Sequence, residues 1–207
     1  MTRIVNIGEA LIDEITRPNS EPVEVVGGSM LNVAAGLTRL GHESELATWF
    51  ARDARGDKVR AHAEAAGVVL TPGSDGAEFT TVAHAAVDEK GHATYEFDLS
   101  WDVPSVEDPD TVGHVHTGSY VVVVEPGADK VLAAVKRQAI RGTVSYDPNI
   151  RPALLGTPDE ARPHIEAIVA LADVVKASDE DLEWLYPGRP VEDVIREWSQ
   201  SGPSLIL

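Results

Sequence analysis

The chain has 207 residues, 43% of them hydrophobic, with 34 acidic against 17 basic side chains and a formal charge of −17. That length buries a core of ordinary size, one large domain with at most a small appendage, and the negative charge argues against nucleic acid or an anionic membrane, which bind by releasing counterions to positive protein charge. Cysteine is absent, so disulfides, thiolate catalysis and thiolate metal sites are excluded. No apolar run reaches the length of a membrane span, Met1 to Val5 lead into a strand without a signal-peptide pattern, and the expected location is the cytoplasm.

In chain order, short apolar β-branched runs alternate with amphipathic stretches. Ile4 to Ile7 reads as a strand, Met30 to Leu40 as a helix, Glu45 to Trp49 as a strand and Lys58 to Ala66 as a helix. The pattern resumes with Val112 to His116, the apolar run Val121 to Val124, a helix over Ala128 to Ala139, a strand over Thr143 to Tyr146 and a helix over Pro158 to Leu171. Val174 and Val175, helices over Asp179 to Leu185 and Val191 to Trp198, and the apolar run Pro203 to Leu207, read as a buried strand, complete it. Such alternation predicts βαβ units around a parallel sheet. Between the two blocks, Thr80 to Val87 and His92 to Leu99 alternate as strands around Asp88-Glu89-Lys90-Gly91, an antiparallel hairpin. With Asp13 to Val26 they are expected to form a small separate sheet.

Four places carry residues suited to chemistry. Gly27-Gly28 runs directly into a helix with Asn32 in its first turns; one reading is a ligand approached by bare backbone and an amide that donates and accepts, the other a tight turn into a core helix. Asp13 is expected at the end of the first strand, where ligands sit in open α/β sheets; one reading is a carboxylate that accepts two ligand hydroxyls, the other a solvated strand-end acid. In Asp147-Pro148-Asn149-Ile150-Arg151, Arg151 suits bidentate phosphate binding; alternatively Asp147 pairs with Arg151 and Asn149 caps the next helix. Lys176 to Asp181 reads fully as a helix start, with Ser178 as cap and acids in the first turn. The seven histidines are scattered and offer no third ligand near His114 and His116, and no dinucleotide-binding or Walker A glycine pattern is present.

Taken together these segments resemble the PfkB, or ribokinase-like, carbohydrate kinases, in their fructokinase-like branch. Ile4 to Asp13 resembles that family's opening strand and sugar-binding aspartate, and Gly27-Gly28-Ser29-Met30-Leu31-Asn32-Val33-Ala34 its first signature. His116 to Ser119, Asp147 to Pro152 and Lys176 to Asp181 resemble its middle strand end, its nucleotide-side turn and the segment near its metal and phosphates. Arg52 and Asp53 resemble a loop of the family and are expected as structural ion-pair partners.

The resemblance implies a ribokinase-like α/β three-layer sandwich with a mostly parallel central sheet and a β lid over segments 13–26 and 79–99. It implies transfer of the ATP γ-phosphate to a hydroxyl of a neutral sugar, fructose first, with Mg²⁺ and a monovalent cation such as K⁺. Asp13, Gly27, Gly28 and Asn32 would then bind sugar, Asn149, Arg151, Lys176 and Ser178 nucleotide, and Asp181 metal, with Arg151 also at the chemistry. A homodimer through the lid is a further implication. The acidic pair in Tyr95-Glu96-Phe97-Asp98, where sugar-acid kinases resemble Tyr-Tyr-Arg, favours a neutral substrate.

The family's Gly-Ala-Gly-Asp segment, which supplies its general base and anion hole, does not occur in the 207 residues. The chain is therefore expected to represent the first two thirds of such an enzyme and to be inactive alone. The alternatives are a sugar-binding remnant without turnover, or a kinase for another sugar, a sugar acid or a nucleoside.

Overall fold

A computed structural model describes residues 3–88, 93–106 and 112–207. Strands β1 (Arg3–Ile7), β4 (Ser44–Ala47), β5 (Val69–Leu70), β8 (Val112–Gly118), β9 (Thr143–Asp147), β10 (Val174–Val175) and β11 (Leu205–Ile206) form one parallel sheet in the order β11-β10-β9-β8-β1-β4-β5. The α-helices are α1 (Ser29–Arg39), α2 (Ala54–Ala65), α3 (Gly127–Gln138), α5 (Pro158–Val169), α6 (Asp179–Leu185) and α7 (Val191–Trp198), with the four-residue α4 (Pro152–Leu155).

Alternation along the strands sends side chains into two cores. Val5, Ile7, Val115, Val144 and Tyr146 pack with Val131 and Val135 of α3 and Ile165 and Ile168 of α5. Leu46 points the other way, into a cluster with Met30, Leu31 and Ala34 of α1, Val59 and Ala63 of α2, and Ile12 and Val82. Ile12 and Val82 belong to a second sheet of four strands, order β3-β2-β6-β7, made from β2 (Leu11–Thr16), β3 (Val23–Gly27), β6 (Val82–Val87) and β7 (Ala93–Asp98). β2 runs parallel to β6, and the outer pairs are antiparallel. The main sheet with its helices is the expected α/β sandwich, and the small mixed sheet is the expected lid. Of the hairpin turn, residues 89–91, and also His92, lie outside the described residues. No helix of the described residues is long and apolar enough to cross a membrane.

Three local expectations need correction, and one open run gains a type. The first strand stops at Ile7, and Asp13 sits inside β2 of the lid; the chain leaves the main sheet at Gly8, where a Cβ would come within 2.2 Å of Met30 Cγ. The apolar run Val121 to Val124, which the sequence leaves without a type, begins inside a 3-10 turn, Ser119–Val122, since a short buried apolar run has no period that separates strand from helix. α2 begins at Ala54, because Asp53 caps it by accepting from Gly56 N at 2.7 Å and also binds Thr80. Asp53 is thus a cap, while Arg52 pairs with Asp75. Finally, β11 pairs with β10 as a strand, but Leu205 is 48% exposed and not buried.

Candidate functional site

Beyond the ends of β1 and β8, between the main sheet and the lid, lies a cavity of about 560 Å³. Leu11, Asp13, Ala83, Tyr95 and Phe97 of the lid form one wall; Gly28, Ser29 and Asn32 of α1, Glu9, Ser119, Tyr120 and Arg151 form the others. Gly28 has φ 112, and a Cβ there would fall 2.4 Å from the Glu9 carbonyl oxygen, so only glycine lets α1 start this close. Gly27 leaves room for the cavity-lining acid: a Cβ there would fall 2.1 Å from Asp13 Oδ2. Asn32, in the first turns of α1, is exposed toward the cavity it lines.

Burial raises the Asp13 carboxyl above the ordinary aspartate value, and the positive charge of Arg151 works against that rise. Glu9 is 5% exposed, and burial raises its carboxyl too, against its bonds to Ser29 and the charge of Arg151. Because Gly28, the cap of α1, has no side chain, Glu9 Oε1 takes its place, accepting from Ser29 N at 3.0 Å and from the Ser29 hydroxyl. Arg151 stands exposed at the mouth, its Nη1 donating to the carbonyls of Asn149 at 3.2 Å and Ile150 at 3.0 Å. It forms no ion pair among the described residues.

A second group lies at the ends of β9 and β10. Asp147 accepts from Asn149 N at 3.1 Å and pairs with Lys176 Nζ at 3.3 Å, and burial raises its carboxyl against the Lys176 charge. Asp147 therefore does not pair with Arg151, and α4 starts without a side-chain cap from Asn149. Ser178 and Asp181 form a capping box: Asp181 Oδ2 accepts from Ser178 N at 3.0 Å and Oγ at 2.8 Å, while Oδ1 accepts from Ile150 N at 2.7 Å.

Asp181 is 7% exposed, and both its oxygens serve the protein; with Asp147 held by Lys176, these residues do not fit a Mg²⁺ cradle, which needs free carboxylate oxygen. Among the described residues no group of three or more His, Cys, Asp or Glu is placed to hold a metal. Of the sequence candidates, the cavity thus gathers Asp13, Gly28, Asn32 and Arg151, with Gly27 directly behind Asp13. Asn149, Lys176, Ser178 and Asp181 stand apart and join it through the turn 147–151.

Residues 1–204 match the pfkB family carbohydrate kinase profile. The chain belongs to that family. A fructokinase from Rhizobium leguminosarum bv. trifolii is 28% identical over 99% of this pfkB chain and 66% of its own length, so the chain spans just under two thirds of that relative. Its fold is that of the Xylella fastidiosa fructokinase solved with bound ATP (TM-score 0.80, 24% identity, 99% of this chain and 67% of that one). A double mutant of Vibrio cholerae O395 fructokinase, solved with fructose, ADP and potassium ion, has the same fold (TM-score 0.77, 21% identity, 100% and 69%).

In this pfkB chain the lid corrects one sequence argument. Tyr95 and Phe97 line the cavity, their rings stacked with centroids 6.4 Å apart, while Asp98 turns to the other face to meet His84 at 3.1 Å. By the same alternation Glu96 leaves the cavity, so the pair Glu96 and Asp98 repels nothing there. Glu9 and Ser119 are cavity residues that sequence reasoning misses. The signal available for Glu9 is an acid directly after a strand-ending glycine; Ser119 has none, since its φ of 63 is visible only in the fold.

Proposed function

We propose that the chain is the sugar-binding portion of an ATP-dependent sugar kinase whose acceptor is a neutral sugar, fructose first. The observation that carries this reading is the convergence of Asp13, Asn32 and the bare Gly28 backbone on one cavity with Arg151, which forms no ion pair among the described residues, at its mouth. Asp13 and Asn32 accept and donate to hydroxyls; Arg151 meets phosphate oxygens at the border between sugar and nucleotide, toward which Asn149, Lys176 and Ser178 form the ATP side. In the reaction a sugar hydroxyl oxygen attacks the γ-phosphorus, its proton passes to a base, and ADP leaves. A neutral sugar is supported by two carboxyls in the cavity, Glu9 and Asp13, against one cation.

The ATP, fructose and potassium named for the solved relatives support nucleotide, sugar and K⁺ for the complete enzyme. Asp181 is assigned to positioning and no step here runs through a metal. Val23 and Val25 of the lid's edge strand β3, 51% and 48% exposed, support pairing of two lids in a homodimer. A second reading, sugar binding without turnover, is favoured by the absence of Gly-Ala-Gly-Asp from the 207 residues. Calorimetry of this chain against fructose tests both readings, and a coupled ADP-release assay across a sugar panel separates them: no sugar binding removes both.

A further inference from the structure

The cavity holds two polar atoms that its own protein leaves unpaired. Glu9 Oε2 and Ser119 Oγ are buried, and neither has a hydrogen-bond partner among the described residues. The residues that bear them are 5% and 2% exposed and line the same cavity as Asp13 and Asn32. A buried polar group without a partner is destabilising, so two at one site point to a partner that arrives with the ligand. Ser119 is also held at φ 63, a left-handed conformation uncommon for a residue with a Cβ, and such strain is retained where it aims a group.

We propose that Glu9 and Ser119 form a second hydroxyl-recognition point, deep in the cavity and separate from Asp13 and Asn32, which selects a polyol able to reach both. The proposal rests on the sugar-binding reading above. One substrate hydroxyl donates to Glu9 Oε2 and accepts from the Ser119 hydroxyl. Glu9 Oε1 stays with Ser29 at the start of α1, so the acid couples the seat of the sugar to the helix that carries Asn32. Apolar surface does not compete for this place, because both atoms are polar and enclosed. A ligand lacking that one hydroxyl leaves both unpaired, which makes the point selective as well as attractive.

The test is calorimetry of the 207-residue chain with fructose and its monodeoxy analogues. Glu9→Gln keeps an acceptor for Ser29 but replaces Oε2 by a donor, and Ser119→Ala deletes the hydroxyl. Each is expected to weaken fructose binding about tenfold to a hundredfold, and to leave unchanged the already weak binding of the single analogue that lacks the engaged hydroxyl. Wild-type affinity in both variants, or an equal loss for every analogue, overturns the proposal. Asp13→Ala runs in parallel: loss there alone removes the second point and leaves the sugar-binding reading standing, whereas a wild-type chain that binds no sugar removes both. If Glu9→Gln does not fold, Ser119→Ala decides with the same analogues.

Discussion

Asp181 Oδ1 accepts from the Ile150 amide at 2.7 Å, so the first turn of α6 sets the position of the loop that carries Arg151 to the cavity. The bond joins the two halves of the site, and it makes Asp181 a tie between them. Asp181→Ala leaves the Ile150 and Ser178 amides unpaired and is expected to cost about 2 to 4 kcal/mol, read by denaturant unfolding. Asp181→Asn, which keeps one acceptor, recovers part of the loss. Unchanged stability with an altered Mg²⁺ requirement in a complete, active form would return Asp181 to the metal.

Two adjacent glycines are expected to fail differently. Gly27→Ala places a methyl against the Asp13 carboxylate, a side chain that can turn away, so sugar affinity falls while the fold survives. Gly28→Ala drives a Cβ into the backbone of Glu9 and Ala10 at φ 112 and lowers the melting temperature. Thermal scans beside calorimetry distinguish them; the reverse order of effects would show that Gly27 does not make room for Asp13.

Asp13→Ala and Asn32→Ala are each expected to reduce sugar affinity about tenfold to a hundredfold. Arg151→Ala, in a complete, active form, raises the KM for ATP. The charge of Arg151 on Asp13 adds a second effect to that substitution. Without it the Asp13 carboxyl rises further, so sugar binding is lost at a higher pH as the solution is acidified. Melting-temperature changes with unaltered kinetics in all three variants would make these residues structural.

Histidines set the pH response of the fold in two windows. Burial lowers His116 from 6.5 to about 4, so the unfolded chain binds the extra proton first and stability falls as pH drops from 6.5 toward 4, by on the order of 3 kcal/mol. His84 is raised by Asp98 and Glu14, and its contribution is full below 6.5 and lost as pH rises through its raised value. His116→Gln is expected to make the acid limb shallower, the rest of it coming from His114, which burial also lowers, and His84→Gln to flatten the alkaline limb, in melting temperatures scanned from pH 4 to 9.

The 207-residue chain is expected to show no sugar-dependent ADP release, since its sequence contains no Gly-Ala-Gly-Asp and loss of a base alone costs about a hundredfold to ten-thousandfold. Robust turnover by the purified chain would place the base among the residues described above.

Periodicity was enough to read the parallel sheet and most of its helices, because β1 carries Val5 and Ile7 on one face, β9 Val144 and Tyr146, and α1 a buried stripe of Met30, Leu31, Ala34 and Ala35. The lid strand β2 was harder, since Asp13 and Glu14 break its pattern for reasons outside the strand: one faces the cavity and the other meets Arg55 at 2.8 Å. Of the cavity lining, Gly28 and Asn32 were singled out by the diglycine run into a helix and Asp13 by resemblance, although its place inside β2 was not foreseen. Glu9 was not singled out although it directly follows the glycine at the end of β1, and Ser119 is marked by a missing hydrogen-bond partner and a backbone angle that exist only in the fold. The Asp181 tie to Ile150 spans 31 positions, and the complete local role of Asp181 as a capping acid hides it.

The order in which this chain is made differs from the order in which it is used. β1, the first strand synthesised, sits in the middle of the sheet, and the Thr117 hydroxyl that closes on its end at Ile7 O comes 110 positions later. β2 likewise waits for β6 before the lid has its central pair. β4 and β3 cover one edge of β1 and of β2 early, but the other edge of each stays open until β8 and β6 follow, and slow refolding follows from such long-range pairing.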